Sequence, residues 1–517
     1  MKYLYGFFLV LNIVLWSSCR NDFESVPSSG NLEFSKDTIF LDTVFTNIGS
    51  STRTLKVYNR SDKDINIPTI QLSSGEASNY RLNVDGIPGK TFENINILAN
   101  DSIFVFIETT IDIDNFPNPD NSYLYEDSIV FDSGTNAQDV NLITLVKDAI
   151  FLFPEQNLDG TVETLNLGTE EEPILIEGFY LDDDQLNFTN DKPYVIYGYA
   201  AVAPNKTLII EAGARIFFHR DSGILVTNGA SMRCNGLPSS DSEMMENQII
   251  FEGDRLEPSF SDVPGQWGTI WLTAGSTNHE FNYTTIKNSI VGILMDSNDG
   301  DRTLTLKNVE IFNSSNIGLL ARTGNVYGEN LIINNSGQSS LTLSLGGKYN
   351  FIHSTFVNYW TNNFRIFPAV SIGNTLQISD TEFITADLLE ANFTNCIIYG
   401  NEARELIFTQ SQEAAFNFNF KNSLIRFDDP NGNYEDDLNY DFLNETLYTN
   451  IVRNQNPSFL NSSMNNFNIE TDVSGADGIA DPIDAAIVPL DANGINRNIS
   501  SPDAGAYESI IFPDDGV

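Results

Sequence analysis

The sequence predicts an all-β protein: a sandwich of antiparallel strands, then a solenoid of stacked strands. Three observations lead there. Phe (36 residues against 6 Met), Tyr, Thr, Ile and Asn recur throughout, a composition that suits pleated, half-buried surface. Short apolar runs are broken by Asn, Gly and Ser turns, with no helical periodicity. From about residue 193 a small motif repeats at solenoid-like spacing. A length of 517 residues asks for two or three structural units. Hydrophobic residues make up 41% of the chain, enough for a sizeable core. Acidic side chains number 70 and basic ones 27, a formal net charge of −43 that repels nucleic acid.

The N-terminus reads as an address. Lys2 precedes the apolar run Phe7 to Trp16, roughly half of the ~20 residues that a bilayer span needs. Ser17-Ser18-Cys19 then resembles the lipobox of bacterial lipoproteins. The resemblance implies a signal peptide over residues 1–18 and lipid attachment at Cys19, so the membrane is a partner through that lipid. Arg20-Asn21-Asp22-Phe23-Glu24 resembles the surface-export signals of some Gram-negative lipoproteins, which implies an outer-membrane protein displayed at the cell surface. Residues 19–31, with Pro27 and Gly30, read as the tether.

Residues 32–148 alternate as Leu55-Lys-Val-Tyr58, Ile65-Asn-Ile67, Ile103 to Ile107, Ser128 to Phe131 and Val140 to Val146. Roughly six or seven such strands fit an antiparallel sandwich. Leu55 to Leu72, with its Asn59-Arg60-Ser61 turn, resembles immunoglobulin-like modules near the anchors of bacterial surface proteins. Residues 149–192 carry Glu170-Glu171-Glu172 and Asp182-Asp183-Asp184 and read as an acidic connector that caps the solenoid.

The repeat beyond it pairs a polar residue with apolar ones two positions on, at Asn288, Asn308, Asn330, Ser354, Asp380, Asn395 and Asn422. Units of this length bury their apolar side only by stacking. Val202 to Phe218, Gly223 to Ser231, Ile249-Ile-Phe251 and Trp267-Gly-Thr-Ile-Trp271 resemble the opening coils of right-handed parallel β-helices of the pectin-lyase-like class. Asp491 to Arg497 and Ser501 to Glu508 resemble the closing motif of secreted bacterial β-helix proteins, with Ala504 where Ile is usual. The resemblance implies a right-handed parallel β-helix over residues 193–510. The family with this two-part layout is one of uncharacterised bacterial surface lipoproteins.

Little in the chain announces chemistry. Polysaccharide lyases on this fold use calcium and a basic residue. The best local cluster for ligand contact is Asp254, Arg255, Glu257 and Asp262, with Trp267 as a platform; its bland alternative is a loop closed by an Asp–Arg pair over a packed indole. Asp380 and Asp387 are candidates for glycoside hydrolysis. His219, His279 and His353 are scattered, which disfavours zinc. Cys234 and Cys396 lie too many coils apart for a disulfide. Trp271, Tyr359 and Trp360 are sugar-stacking candidates that the core would also use. No cofactor is implied; the acidic stretch Asp428 to Asp437 offers oxygens for calcium but lacks the spaced ligand order of a calcium loop, and it reads as a solvated insertion.

The function expected is that of a lipid-anchored cell-envelope protein whose β-helix is a binding scaffold for glycan or another envelope component. One alternative is a polysaccharide lyase or glycoside hydrolase acting on an extended polymer. Another is a structural or adhesive surface protein.

Overall fold

The computed structural model describes residues 25–117, 121–241, 244–296, 303–379 and 381–513. The signal peptide, Cys19 and Asp380 therefore lie outside the described residues. The chain is all-β with large parallel sheets; among the described residues the single α-helix is the short Pro482–Ala485. It divides into two compact units between Asp148 and Ala149.

In the first unit, alternation sets which side chains go inside. Arg53–Tyr58 buries Leu55 and Val57, and Ser102–Thr109 buries Ile103, Val105 and Ile107 while Phe104 and Phe106 stay exposed. These two strands pair antiparallel in a five-stranded sheet. A six-stranded sheet holds Ile65–Leu72, Ser122–Phe131, Gln138–Lys147 and Thr38–Phe45. Both sheets contribute to one core, with Leu55, Val105, Ile67, Ile129 and Leu142 fully buried. The pairing is not wholly antiparallel, as the sequence suggested. Thr38–Phe45 lies parallel to Gln138–Lys147, and Val26–Pro27 parallel to Ile65–Leu72. In each case an early strand runs along an edge that would otherwise present unpaired backbone.

The second unit is built from parallel ladders. A ten-stranded sheet runs from Thr164–Asn166 through Tyr199–Val202, Gly223–Val226 and Ile270–Leu272 to Leu406–Thr409. A nineteen-stranded sheet contains two further ladders that merge in the long strands His279–Lys287 and Leu304–Ser314. Each strand pairs with the one a full circuit later, as Ile216 with Phe251 and Phe281 with Leu306. Inward side chains form one continuous core that includes Phe218, Phe251, Trp267, Phe351 and Phe393. Cys234 and Cys396 are buried free thiols within it.

The repeating Asn residues are corners. Asn308, Asn330, His353, Asn395, Asn422 and Asn450 all have positive φ, between 48° and 56°. The strand registers place them on one edge of successive circuits. Asn tolerates this left-handed conformation better than most residues, and its amide bonds to the next corner. Asn330 Nδ2 donates to Asn308 Oδ1 at 2.9 Å. A second row is Asn288, Asn313 and Asn335, with Asn313 Nδ2 to Asn288 Oδ1 at 3.2 Å and Asn335 Nδ2 to Asn313 Oδ1 at 2.7 Å. The single repeat seen in the sequence is thus two corners merged, and His353 occupies the place assigned to Ser354.

Two boundaries shift. Residues 149–192 are the first circuit of the stack, since Ile150–Leu152 pairs with Tyr194–Ile196 and Leu175–Tyr180 with Tyr199–Val202. Their acidic runs occupy turns, while Leu152 and Phe179 enter the core. At the other end, ladder pairing stops at Val452–Arg453. The rest of the chain instead covers outward apolar residues of earlier circuits, packing Phe467, Ala504 and Tyr507 on Ile332, Val357 and Ile397. Buried Arg497 clamps it, bonding Glu508 at 3.1 Å and Asn330 Oδ1 at 2.7 Å.

Candidate functional site

Two successive corners near the start of the stack line an open cleft, and a third stands behind it. Tyr194–Ile196 ends at Tyr197, and Gly198 (φ +66°) turns the chain into Tyr199–Val202. One circuit later Arg215–Phe218 ends at His219, and one further Ile249–Gly253 ends at Asp254. Registers of Ile196 with Phe218, and Phe218 with Gly253, align Tyr197, His219 and Asp254. Backbone bonds from His219 N–H to Ile196 O and from Asp254 N–H to Phe218 O, both 2.9 Å, fix the alignment.

The Tyr197 and His219 rings stack with centroids 4.5 Å apart. His219 Nδ1 lies 2.7 Å from Asp254 Oδ2. The Asp254 side chain is 14% exposed and that of His219 49%, so the carboxylate sits behind the imidazole. Burial raises the Asp254 carboxyl above its ordinary value, against the pull of His219 and Arg255. Burial, then the charge of Asp254, pushes the Tyr197 hydroxyl upward. An ionised Asp254 only accepts, so Nδ1 carries the hydrogen, and in the neutral ring Nε2 is then the acceptor.

Glu177, Tyr199, Arg220 and Asp221 complete a cleft of about 480 Å³. Tyr199 lies against two glycines: a Cβ on Gly223 would stand 2.6 Å from Tyr199 Cε1, and one on Gly268 2.3 Å from its hydroxyl. Both positions need glycine for that close approach. Burial pushes the Tyr199 hydroxyl up to about 12. Chemically, the cleft offers aromatic surface, an imidazole oriented by a carboxylate, and further carboxylates beside one guanidinium.

Of the candidate ligand contacts singled out from sequence, none lines this cleft; Asp254 meets it only through its bond to His219. Arg255 bonds Glu257 at 2.7 Å and lies 3.9 Å over the Phe260 ring, so that pair closes its own loop. Asp262 accepts from Ser261 Oγ at 2.9 Å and Asn313 Nδ2 at 3.3 Å. Trp267 is not an open platform: it is fully buried, stacked on Phe218 at 4.2 Å, with Nε1 donating to Lys287 O. Asp387 accepts the Ala415 N–H at 2.8 Å. Trp360 is buried and Tyr359 packs on Phe467. Trp271 is half-buried between Leu225 and Leu294, its Nε1 3.3 Å from Asp296. His279 and His353 are buried, and burial holds His279 down at about 4.

Tyr197, Tyr199, Glu177 and Asp221 escaped the sequence reading, and His219 was weighed there only as a zinc ligand. The signal available was Tyr197-Gly198-Tyr199, two aromatics around a residue that turns readily. Among the described residues no group of three or more His, Cys, Asp or Glu is placed to hold a metal ion, and no helix is long and apolar enough to cross a membrane.

The chain matches no known protein family and no curated protein. Among solved structures it shows partial likeness to a family 123 glycoside hydrolase from Clostridium perfringens, at 12% identity over 22% of this chain and 26% of that one, with a TM-score of 0.16. A human PapD-like (ASH) domain gives 14% identity over 26% of this chain and 94% of that one, TM-score 0.15. The E. coli chaperone DraB gives 13%, 24% and 57%, TM-score 0.16. The chain thus spans about a quarter of the hydrolase's length. Likenesses this slight carry nothing about function.

Proposed function

We propose that this chain is a lipid-anchored envelope protein, held in the outer membrane through Cys19 and displayed at the cell surface. An immunoglobulin-like β-sandwich spaces a right-handed parallel β-helix from the anchor, and the β-helix binds glycan. The sandwich reading is supported by two sheets sharing one core. The β-helix reading is supported by parallel ladders that pair once per circuit and by the stacked left-handed corners.

One observation carries the binding reading: the open cleft in which Tyr197, Tyr199 and the Asp254-oriented His219 stand together. Aromatic faces beside fixed polar groups suit the apolar faces and hydroxyls of sugar rings. Glu177 and Asp221 outnumber Arg220, so a neutral or amino-bearing glycan fits better than a polyanionic one. The test uses unlipidated mature protein from about Ser28 and a panel of polysaccharides in affinity electrophoresis. Retention by at least one neutral glycan, lost in Tyr197→Ala and His219→Ala, is expected. Retention that survives both substitutions removes the cleft from the function. Separately, Cys19→Ala should move the full chain from membrane to soluble fractions.

The His219–Asp254 pair also favours a second reading, a glycan-cleaving enzyme in which His219 moves a proton at Nε2 and Asp254 orients the ring. New chain ends formed by the mature protein, and abolished in His219→Ala, would establish it. Binding without new ends leaves the scaffold.

A further inference from the structure

The last circuits of the stack carry a second cavity, of about 310 Å³, to which the carbohydrate cleft contributes nothing. Its walls come from the excursion that begins after Leu424–Ile425. Asn454 holds the Phe427 backbone on both sides, accepting its N–H at 2.8 Å and donating to its carbonyl at 2.9 Å. The chain then lays Tyr434, Tyr440 and Phe442 against Phe427, with ring centroids 5.6, 4.8 and 5.2 Å away. The Tyr440 hydroxyl accepts the Phe408 N–H at 2.9 Å. Four rings are therefore set in place before any ligand arrives, which lowers the ordering cost of binding.

The polar groups on these walls are out of balance. Asp429 Oδ2 accepts the Tyr434 N–H at 2.8 Å. Its Oδ1 is buried and accepts no hydrogen bond, and Arg404 stands off at 3.8 Å. Asp428 and Glu435 add two further carboxylates to the lining. The ring faces carry partial negative charge as well, and two guanidiniums already use them: Arg404 lies 5.2 Å from Tyr434 and Arg453 4.5 Å from Phe442. Calcium, the ion weighed for this stretch, takes six or more oxygens, whereas much of this wall is aromatic.

We propose that this cavity binds a small organic cation through an ammonium or guanidinium group. The charged group lies beside the carboxylates of Asp428, Asp429 and Glu435 while its alkyl part lies on the aromatic wall. Arg453 is the cavity's own resident cation and competes with the ligand for the face of Phe442. The strongly acidic chain draws such ligands towards it from solution.

The test is calorimetric titration of the mature chain with agmatine and with tetramethylammonium in about 0.15 M salt, where diffuse surface attraction is screened. Glutarate is the anionic control. Saturable binding of agmatine at one site is expected, with no heat from glutarate. Asp429→Asn should weaken agmatine at least tenfold, and Arg453→Ala should tighten it, an outcome that misfolding cannot produce. His219→Ala should leave it unchanged, which separates this site from the cleft. Failure of both cations to bind, glutarate binding equally well, an unaltered affinity in Asp429→Asn, or weaker binding in Arg453→Ala would each overturn the proposal.

Discussion

Arg365 and Glu405 form an ion pair with side chains only 1% and 0% exposed, and removing either partner alone should be far worse than half of removing both. The pair is bidentate, Nη1 to Oε2 at 2.9 Å and Nη2 to Oε1 at 2.7 Å. Glu405 also accepts the Ala369 and Glu402 N–H groups at 2.7 and 2.8 Å. Arg365 donates to the carbonyls of Asn358 and Phe367 and to Asn401 Oδ1. Glu405→Gln strands a buried guanidinium, a cost of about 3–5 kcal/mol. It also turns one amide hydrogen pair towards a backbone donor, adding about 1 kcal/mol. Arg365→Met should cost less, about 3 kcal/mol, because Glu405 can take up a proton; burial already raises its carboxyl above the ordinary value. That raised value makes its contribution complete below the unfolded pKa and lost as pH rises, so Arg365→Met should weaken as pH rises above the unfolded carboxyl value of about 4.3. The double variant should recover about 2–3 kcal/mol of the summed losses. Urea unfolding followed by tryptophan fluorescence measures all four corners of the cycle. A Glu405→Gln penalty under about 1 kcal/mol, or additive losses, would refute the claim that this pair holds the segment displaying Phe364 and Ile366, which are 87% and 69% exposed.

Three further outcomes are expected. Asn313 sits at φ 57° and bonds both Asn288 and Asn335, so Asn313→Ala should cost about 2–3 kcal/mol and Asn313→Gly about 1 kcal/mol less; equal losses would show that the ladder, and not the backbone, dominates. His279 is held down at about 4 by burial, with Nδ1 accepting the Met232 N–H at 3.2 Å. Its contribution is present above the unfolded value near 6.5 and lost as pH falls through about 4, roughly 3 kcal/mol in all, and urea midpoints from pH 7 to 4 should show a slope that His279→Leu flattens. Asp503 is pushed up to about 6, chiefly by burial, so its contribution is present below the unfolded value near 3.9 and lost as pH rises through about 6. Amides of residues 476–510 should accordingly lose hydrogen-exchange protection between about pH 4 and about pH 6, after correction for intrinsic rates, and a flat profile would dismiss the effect.

The all-β class was legible because its signals are local. The sequence segments Leu55 to Tyr58, Ile103 to Ile107 and Val140 to Val146 lie inside the strands Arg53–Tyr58, Ser102–Thr109 and Gln138–Lys147. Asn308, Asn330, Asn395 and Asn422 were legible for the same reason, since each corner needs a residue that accepts positive φ. The register between corners was not. Asn288 belongs to the other row, and His353 holds the corner assigned to Ser354, because loops of unequal length leave no fixed period to count.

The same reason governs the candidate site. Asp254 stood out beside Arg255, yet it bonds His219, which in turn stacks on Tyr197, each on a different circuit. Residues 149–192 look like a connector because acidic runs separate their short apolar strands, which become core only beside the next circuit. Trp267 reads equally well as a platform or as packing until Phe218 is seen against it. The chain by itself determined strand, turn and corner, which depend on a residue and its immediate neighbours. The tertiary structure decided which corners stack, because a parallel ladder brings together residues a whole circuit apart, and only backbone hydrogen bonding between circuits sets that length.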